Sequence, residues 1–295
     1  MEFLLQIING LSLGSIYALV ALGYTMVYGI ALLINFAHGE IIMVGAYTVV
    51  FSTTLVFAKL SLPLWFSIIP AVIVCTLLGL LIERVAYRPL RNSPRISNLI
   101  TAIGVSLLLQ NTVMVLFGAG ARSSQSIFNI STINLGSLEV PFISIITILL
   151  TAILTLALQF FMKNTKTGKA LLATSEDFGA AQLVGINIDT SMVATFAIGS
   201  ALAGVASVLY MGTYGQAQPL MGSMLGIKAF TAAVIGGIGL IPGAVIGGLL
   251  LGIVEALTRA YLSSKLADAI VFSILIIVLL IKPTGLLGKN MKEKV

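Results

Sequence analysis

Residues 163–189 read KNTKTGKALLATSEDFGAAQLVGINID, the longest polar interruption in a chain otherwise built of apolar runs. Its first part carries Lys163, Lys166 and Lys169, which resist passage through hydrocarbon. Its second part reads as a short helix. Thr174-Ser-Glu-Asp177 has the form of a capping box: a hydroxyl that accepts a backbone N–H, and a carboxylate near the positive end of the helix dipole. Ala173, Ala180, Leu183 and Val184 then recur at helical spacing on one weakly amphipathic face, and Gly185 supplies the left-handed residue that stops a helix. An ordinary solvated loop accounts for these features. So does a docking knuckle, because alanines and a glycine let another protein surface approach closely.

The runs on either side decide the class. The 295-residue chain is 58% hydrophobic and 9% charged, with a mean hydropathy of +1.11. A water-soluble core cannot hide that much apolar surface, whereas lipid accepts it directly. The expectation is an all-α polytopic membrane bundle, one transmembrane domain over residues 1–295, with 163–189 as its longest polar loop. The first run has no basic n-region and no cleavage site, so it reads as a span and not a signal peptide. Cys75 is the single cysteine and lies inside an apolar run, which excludes an intrachain disulfide. The net charge of +6 is better explained by orientation in a membrane than by nucleic acid.

Basic residues cluster at Arg84, Arg88, Arg91 and Arg95, at Lys163, Lys166 and Lys169, and at Lys282, Lys289, Lys292 and Lys294. The positive-inside rule puts all three clusters in the cytoplasm and the N-terminus, which has only Glu2, outside. Nine apolar runs give eight or nine membrane segments. The short run 225–238 is expected to fuse with its neighbour or form a re-entrant piece, with an odd number of full crossings overall. The polar stretch 118–140 is expected as the largest external loop.

A second polar interruption, Asn35-Phe-Ala-His38-Gly39-Glu40, separates two strongly apolar stretches. Such groups are costly in hydrocarbon and belong in a bundle interior, a water-filled cavity or the interface. A short cytoplasmic turn and a broken helix beside a translocation route both fit. Gly10 and Gly14, Gly239, Gly243 and Gly247, and Gly248 and Gly252 recur at four-residue spacing, as close helix packing in lipid requires. Pro242 among them suggests a bent or interrupted helix. Gln110 and Asn111 read as interhelical hydrogen bonds, and Glu255 and Arg259 as an i,i+4 pair. Lys228 and Asp268 are expected at membrane edges, where lysine snorkels.

Catalytic chemistry is missing from these patterns. Gly168-Lys169 lacks the earlier glycine and the following Ser/Thr of a phosphate-binding loop. His38 is the only histidine, too few for a His-based zinc triad. The expectation is a non-enzyme without a cofactor or metal of its own, any ATP being bound by partner subunits.

Two stretches carry a family resemblance. Gly179-Ala180-Ala181-x-x-x-Gly185 resembles the cytoplasmic loop by which permeases of bacterial ABC importers engage their ATPases, with glycine where that pattern has glutamate and Asp177 nearby. The wider spacing, from Gly168-Lys169-Ala170 to Gly185-Ile186-Asn187, is similar to that of the branched-chain amino acid permeases. LLINFAHGE over 32–40, preceded by NGLSLGSIYALVALGYTMVYG over 9–29, resembles their opening segment. The resemblance implies a multi-pass subunit of the bacterial inner membrane that imports branched-chain amino acids. Its implied partners are a second homologous permease, two cytoplasmic ATPases and an extracytoplasmic solute-binding protein. It implies ATPase coupling through Gly168, Asp177, Ala180, Ala181 and Gly185, and a translocation route past Asn35, His38, Gly39 and Glu40, through a cavity expected to be apolar and weakly selective. An ion-coupled transporter or channel, with His38, Glu40 or Glu255 as a relay, is the alternative. Such proteins often pair two broken helices, and here 236–243 is a poor counterpart to 35–40.

Overall fold

Runs of Leu, Ile, Val and Ala between charged loops leave the backbone no partner but itself in lipid, and helices satisfy it. The structure, a computed structural model, describes residues 2–31, 35–91, 93–124, 127, 132–135 and 138–288. Lys289, Lys292 and Lys294 of the expected basic tail, and the Arg95 side chain, lie outside the described residues. In chain order the helices are α1 (Glu2–Ala31), α2 (His38–Phe51), α3 (Ile68–Ile82), α4 (Arg95–Phe117), α5 (Phe142–Asn164), α6 (Lys166–Glu176), α7 (Phe178–Leu183), α8 (Ile188–Tyr214), α9 (Met221–Gly236), α10 (Ile241–Tyr261) and α11 (Ser264–Ile281). Among the described residues, eight stretches are long and apolar enough to cross a membrane; α9 is a shorter apolar helix beside them. The expected all-α bundle carries small β pieces. Strand β1 (Arg122–Ser123) pairs antiparallel with β4 (Gln216–Ala217), and β2 (Thr132–Leu135) with β3 (Leu138–Pro141). The two hairpin strands lie in the expected 118–140 loop.

Contacts fix the direction of each helix. Arg88 and Arg91, beyond α3, reach Asp189 at the start of α8. Gly29, Lys163, Ser175 and Gly239 line one cavity, so α1, α3 and α5 end where α8 and α10 begin. This is the basic end of the bundle. At the other end, the β1–β4 pair ties the exit of α4 to the exit of α8, and the Phe3 ring lies 6.5 Å from that of Tyr261.

Helix α9 corrects the expectation for run 225–238. It neither fuses with α10 nor turns back, because Gly237 and Gly239, with φ of +109° and +93°, form a separate loop. It starts just after β4 and ends beside the chain's last described turn, where Leu286 N–H donates to the Ile235 carbonyl at 2.8 Å. Helices α8 to α11 therefore make four passes, and an even number returns the chain to the basic end. Of the two readings of Pro242, the interrupted helix holds: it occupies the first turn of α10, where its missing N–H would be unpaired anyway, directly after the break that ends α9.

The α1–α10 crossing is a glycine seam, as the spacing predicts. A Cβ on Gly10 would lie 2.7 Å from Ile253 Cα, and one on Gly14 2.7 Å from the Gly248 carbonyl oxygen. With no hydrophobic driving force between helices in lipid, this backbone approach supplies the dispersion contact that holds them. Helices α1, α2 and α8 form the buried interior, while α4, α5 and α11 present exposed leucines and isoleucines on their outer faces.

Candidate functional site

Three polar arrangements interrupt this apolar architecture: a knuckle at the basic end, a turn inside the bundle and a charge cluster beside a cavity.

The knuckle is built differently from the sequence expectation. Thr165 caps α6, its Oγ1 accepting from Gly168 N–H at 2.9 Å. That helix then runs through to Glu176. Thr174 is therefore no cap. It is buried in mid-helix and donates to the Ala170 carbonyl at 2.8 Å. The break comes at Asp177, whose extended backbone separates α6 from α7 and whose Oδ1 accepts from Ala180 N–H at 2.9 Å. Ala173 consequently belongs to a different helix from Ala180 and Leu183. Gly185 ends α7 with φ of +87°, as its sequence position predicts. Asp177, Ala180 and Gly185 are exposed, and beside them Leu183 and Val184 are 90% and 77% exposed. Ala181 is buried. Gly168 is buried too, and a Cβ there would collide with the Phe161 carbonyl and with Met162. Its smallness serves the α5–α6 joint.

This knuckle is bound to the bundle through Asp189. Its carboxylate accepts from Arg88 at 2.9 Å and also from Arg91, which holds the buried Glu83 as well. These ion pairs join the α7–α8 junction to the end of α3.

The Asn35–Glu40 turn lies inside the protein. Asn35 Oδ1 accepts from Tyr87 OH at 2.9 Å and from Ala37 N–H at 3.1 Å. His38 packs edge-on against Tyr24, with ring centroids 5.0 Å apart. Gly39 meets Gly222, because a Cβ on Gly39 would overlap the Gly222 carbonyl. Glu40 is fully buried, and its Oε1 accepts from Ser223 at 2.9 Å and Ser106 at 3.1 Å. The first turns of α2 and α9 thus meet within the bundle, and their positive dipole ends favour the carboxylate between them. Single serines in apolar runs carry no sequence signal, so Ser106 and Ser223 are legible only in the fold. Gln110 does bridge helices, weakly, to Ser223 at 3.5 Å. Asn111 differs from expectation: it bonds back to its own helix at Leu107.

The charge cluster corrects the expectation that Lys228 snorkels. Lys228 is 5% exposed and snorkels nowhere. Its Nζ lies 2.7 Å from Glu255 Oε1 and 2.6 Å from Asp268 Oδ1. Glu255 is wholly buried and also accepts from Arg259 and, at 2.8 Å, from Tyr17 OH. The i,i+4 pairing of Glu255 and Arg259 holds as read, within a network that joins α1, α9, α10 and α11. Beside it opens a cavity of about 330 Å³ lined by Tyr214, Met221, Met224, Leu225, Arg259 and Asp268 among others. A neighbouring cavity of about 400 Å³ shares Leu13, Tyr214 and Arg259 and reaches Gln6, Asn9 and Thr213. Both sit at the end of the bundle opposite the basic one.

Residues 6–280 match the family model described as "Branched-chain amino acid transport system / permease component". The high-affinity branched-chain amino acid transport system permease protein LivH of Salmonella typhimurium is 48% identical across 99% of this chain and 98% of its own length. LivH of Escherichia coli K12 is 47% identical over the same shares. The corresponding permease protein BraD of Pseudomonas aeruginosa is 42% identical across 100% of this chain and 98% of its own length.

Proposed function

Because this chain belongs to the branched-chain amino acid transport system permease family, we propose that it is the membrane subunit of an ATP-driven importer that passes leucine, isoleucine or valine across the bacterial inner membrane. The observation that carries this reading is an exposed, capped helix at the basic end of a glycine-seamed bundle. A soluble ATPase pair docks on α7 through Asp177, Ala180 and the exposed Leu183 and Val184. The basic end is cytoplasmic, because arginines and lysines there are retained on that side, and the N-terminus lies outside. A second homologous permease completes the passage, and an external solute-binding protein delivers cargo at the opposite end. Closure of the ATPases moves α7, and the Asp189–Arg91–Glu83 link carries that motion to α3. Between the two ends, the first turns of α2 and α9 around Asn35, His38, Gly39 and Glu40 are the place where the passage opens and shuts. Two helix starts meeting at one buried point fit such alternation.

Reconstitution with the companion subunits tests it. Leucine uptake should require ATP inside the vesicle and persist when a protonophore collapses the proton gradient. Uptake that vanishes with the protonophore and ignores ATP would replace this reading with an ion-coupled carrier.

A further inference from the structure

We infer that the cavity beside Arg259 and Asp268 is a binding site for the zwitterionic head of an α-amino acid with an apolar side chain, a deepening that rests on the function proposed above. Arg259 receives the α-carboxylate, Asp268 receives the α-ammonium, and the side chain lies among Met221, Met224 and Leu225.

Charge balance is the first argument. Lys228 and Arg259 supply two positive charges, and Glu255 and Asp268 two negative ones, all joined in one network. The cluster is neutral as it stands. A zwitterion adds one charge of each sign and keeps it neutral, whereas a simple anion or cation leaves one charge uncompensated beside a buried ion pair, where that is costly.

The division of labour within the network is the second. Glu255 is wholly buried and takes three donors, Lys228, Arg259 and Tyr17, so it is an anchor with nothing left to offer a ligand. Lys228 is held between two carboxylates and is 7% exposed at its side chain. Arg259 and Asp268 are different: their side chains are 40% and 41% exposed, and both line the cavity. A guanidinium has five N–H donors in a planar fork that matches a carboxylate. One carboxylate contact does not exhaust it. The two exposed groups of opposite sign are thus set on a rigid, buried pair.

Size and lining are the third. About 330 Å³ lies at the small end of ligand sites, which combine apolar walls with a few placed polar groups. Methionines adapt to differently branched side chains at little cost, which suits a site shared by leucine, isoleucine and valine. The charged pair Arg259 and Asp268 forms the cavity's polar rim.

The test is binding to the intact chain in nanodiscs, read by saturation-transfer NMR with three probes. These are leucine, 4-methyl-2-oxopentanoate, which lacks the ammonium, and 3-methylbutylamine, which lacks the carboxylate. Leucine should bind and neither analogue should displace it. Asp268→Asn, which keeps the shape and leaves Lys228 paired with Glu255, should weaken leucine about tenfold or more at an unchanged melting temperature. Met224→Trp, which fills the cavity without touching a charge, should also abolish leucine binding. Equal binding of all three probes, or leucine binding that both variants leave intact, overturns the site. So does absence of leucine binding to the wild type. The two failures separate: a wild type that drives ATP-dependent leucine uptake while Asp268→Asn leaves its KM unchanged removes this site and keeps the function, whereas no such uptake by the wild type removes the function itself.

Discussion

Lys228 Nζ lies 2.7 Å from Glu255 Oε1, and both side chains are buried among apolar helices, so α9 is fastened to α10 by an internal ion pair. Taking such charges from water costs several kcal/mol each, which their attraction and further hydrogen bonds must offset. Helix α9 is not among the stretches long enough to span by themselves, and this pair fixes it in place.

Removing one side of that pair should cost more than removing both. Glu255→Gln leaves Lys228 with Asp268 as its remaining carboxylate and takes the carboxylate from Arg259, and is expected to destabilise by about 3–5 kcal/mol. The double variant Lys228→Met with Glu255→Gln should recover a substantial part of that. Thermal melts in detergent, arranged as a double-mutant cycle, give the coupling; strictly additive losses would show that the pair does not act as a unit.

The glycine seam predicts position-specific intolerance. Gly14→Leu and Gly252→Leu force a side chain into the opposing backbone, and overpacking of this kind costs about 1–3 kcal/mol or more. Gly104 in α4 has no atom within 4 Å of its would-be Cβ, so Gly104→Ala should fold as well as the wild type. Yield of monodisperse protein after extraction is the readout, and equal yields from all three variants would contradict the seam.

Arg91 stands between a buried and an exposed carboxylate, Glu83 at 2% and Asp189 at 51% exposure. Arg91→Met leaves Glu83 charged and alone, at about 3–5 kcal/mol. Asp189→Asn removes only a solvent-screened contact, worth about 0–1 kcal/mol. The asymmetry should be plain in melting temperature. Asp189→Asn should nonetheless lower transport per ATP hydrolysed, because it loosens the link between α7 and α3.

Asp177→Ala deletes the α7 cap, at a local cost of about 1 kcal/mol, while Asp177→Ser retains an acceptor. Uptake should fall in the first and survive in the second. Leu183→Asp, on the exposed tip, should abolish ATPase association without affecting membrane insertion. Ala181 is a poor probe of docking because it is buried: a bulky residue there disrupts α7 itself. Co-purification of the ATPase with Leu183→Asp at wild-type levels would refute docking at this tip.

Much of this was legible in the one-dimensional pattern. Apolar runs separated by basic loops determine a helical membrane bundle, since a helix satisfies its own backbone within a single segment of chain. Spacing alone marked the glycine seam, the Glu255–Arg259 pair and the Gly185 stop, because each depends on neighbours three or four residues apart or on one residue's own backbone. The cap was misplaced by one element: Thr174 and Asp177 both have capping side chains, and only burial of Thr174 on α6 decides between them. Tertiary structure alone settled the rest. Glu40 finds Ser106 and Ser223, and Lys228 finds Glu255 and Asp268, across separations that no local periodicity encodes. A lysine in an apolar run is read as snorkelling when its partners are unseen, and it becomes the core of a neutral cluster once the helices fold together.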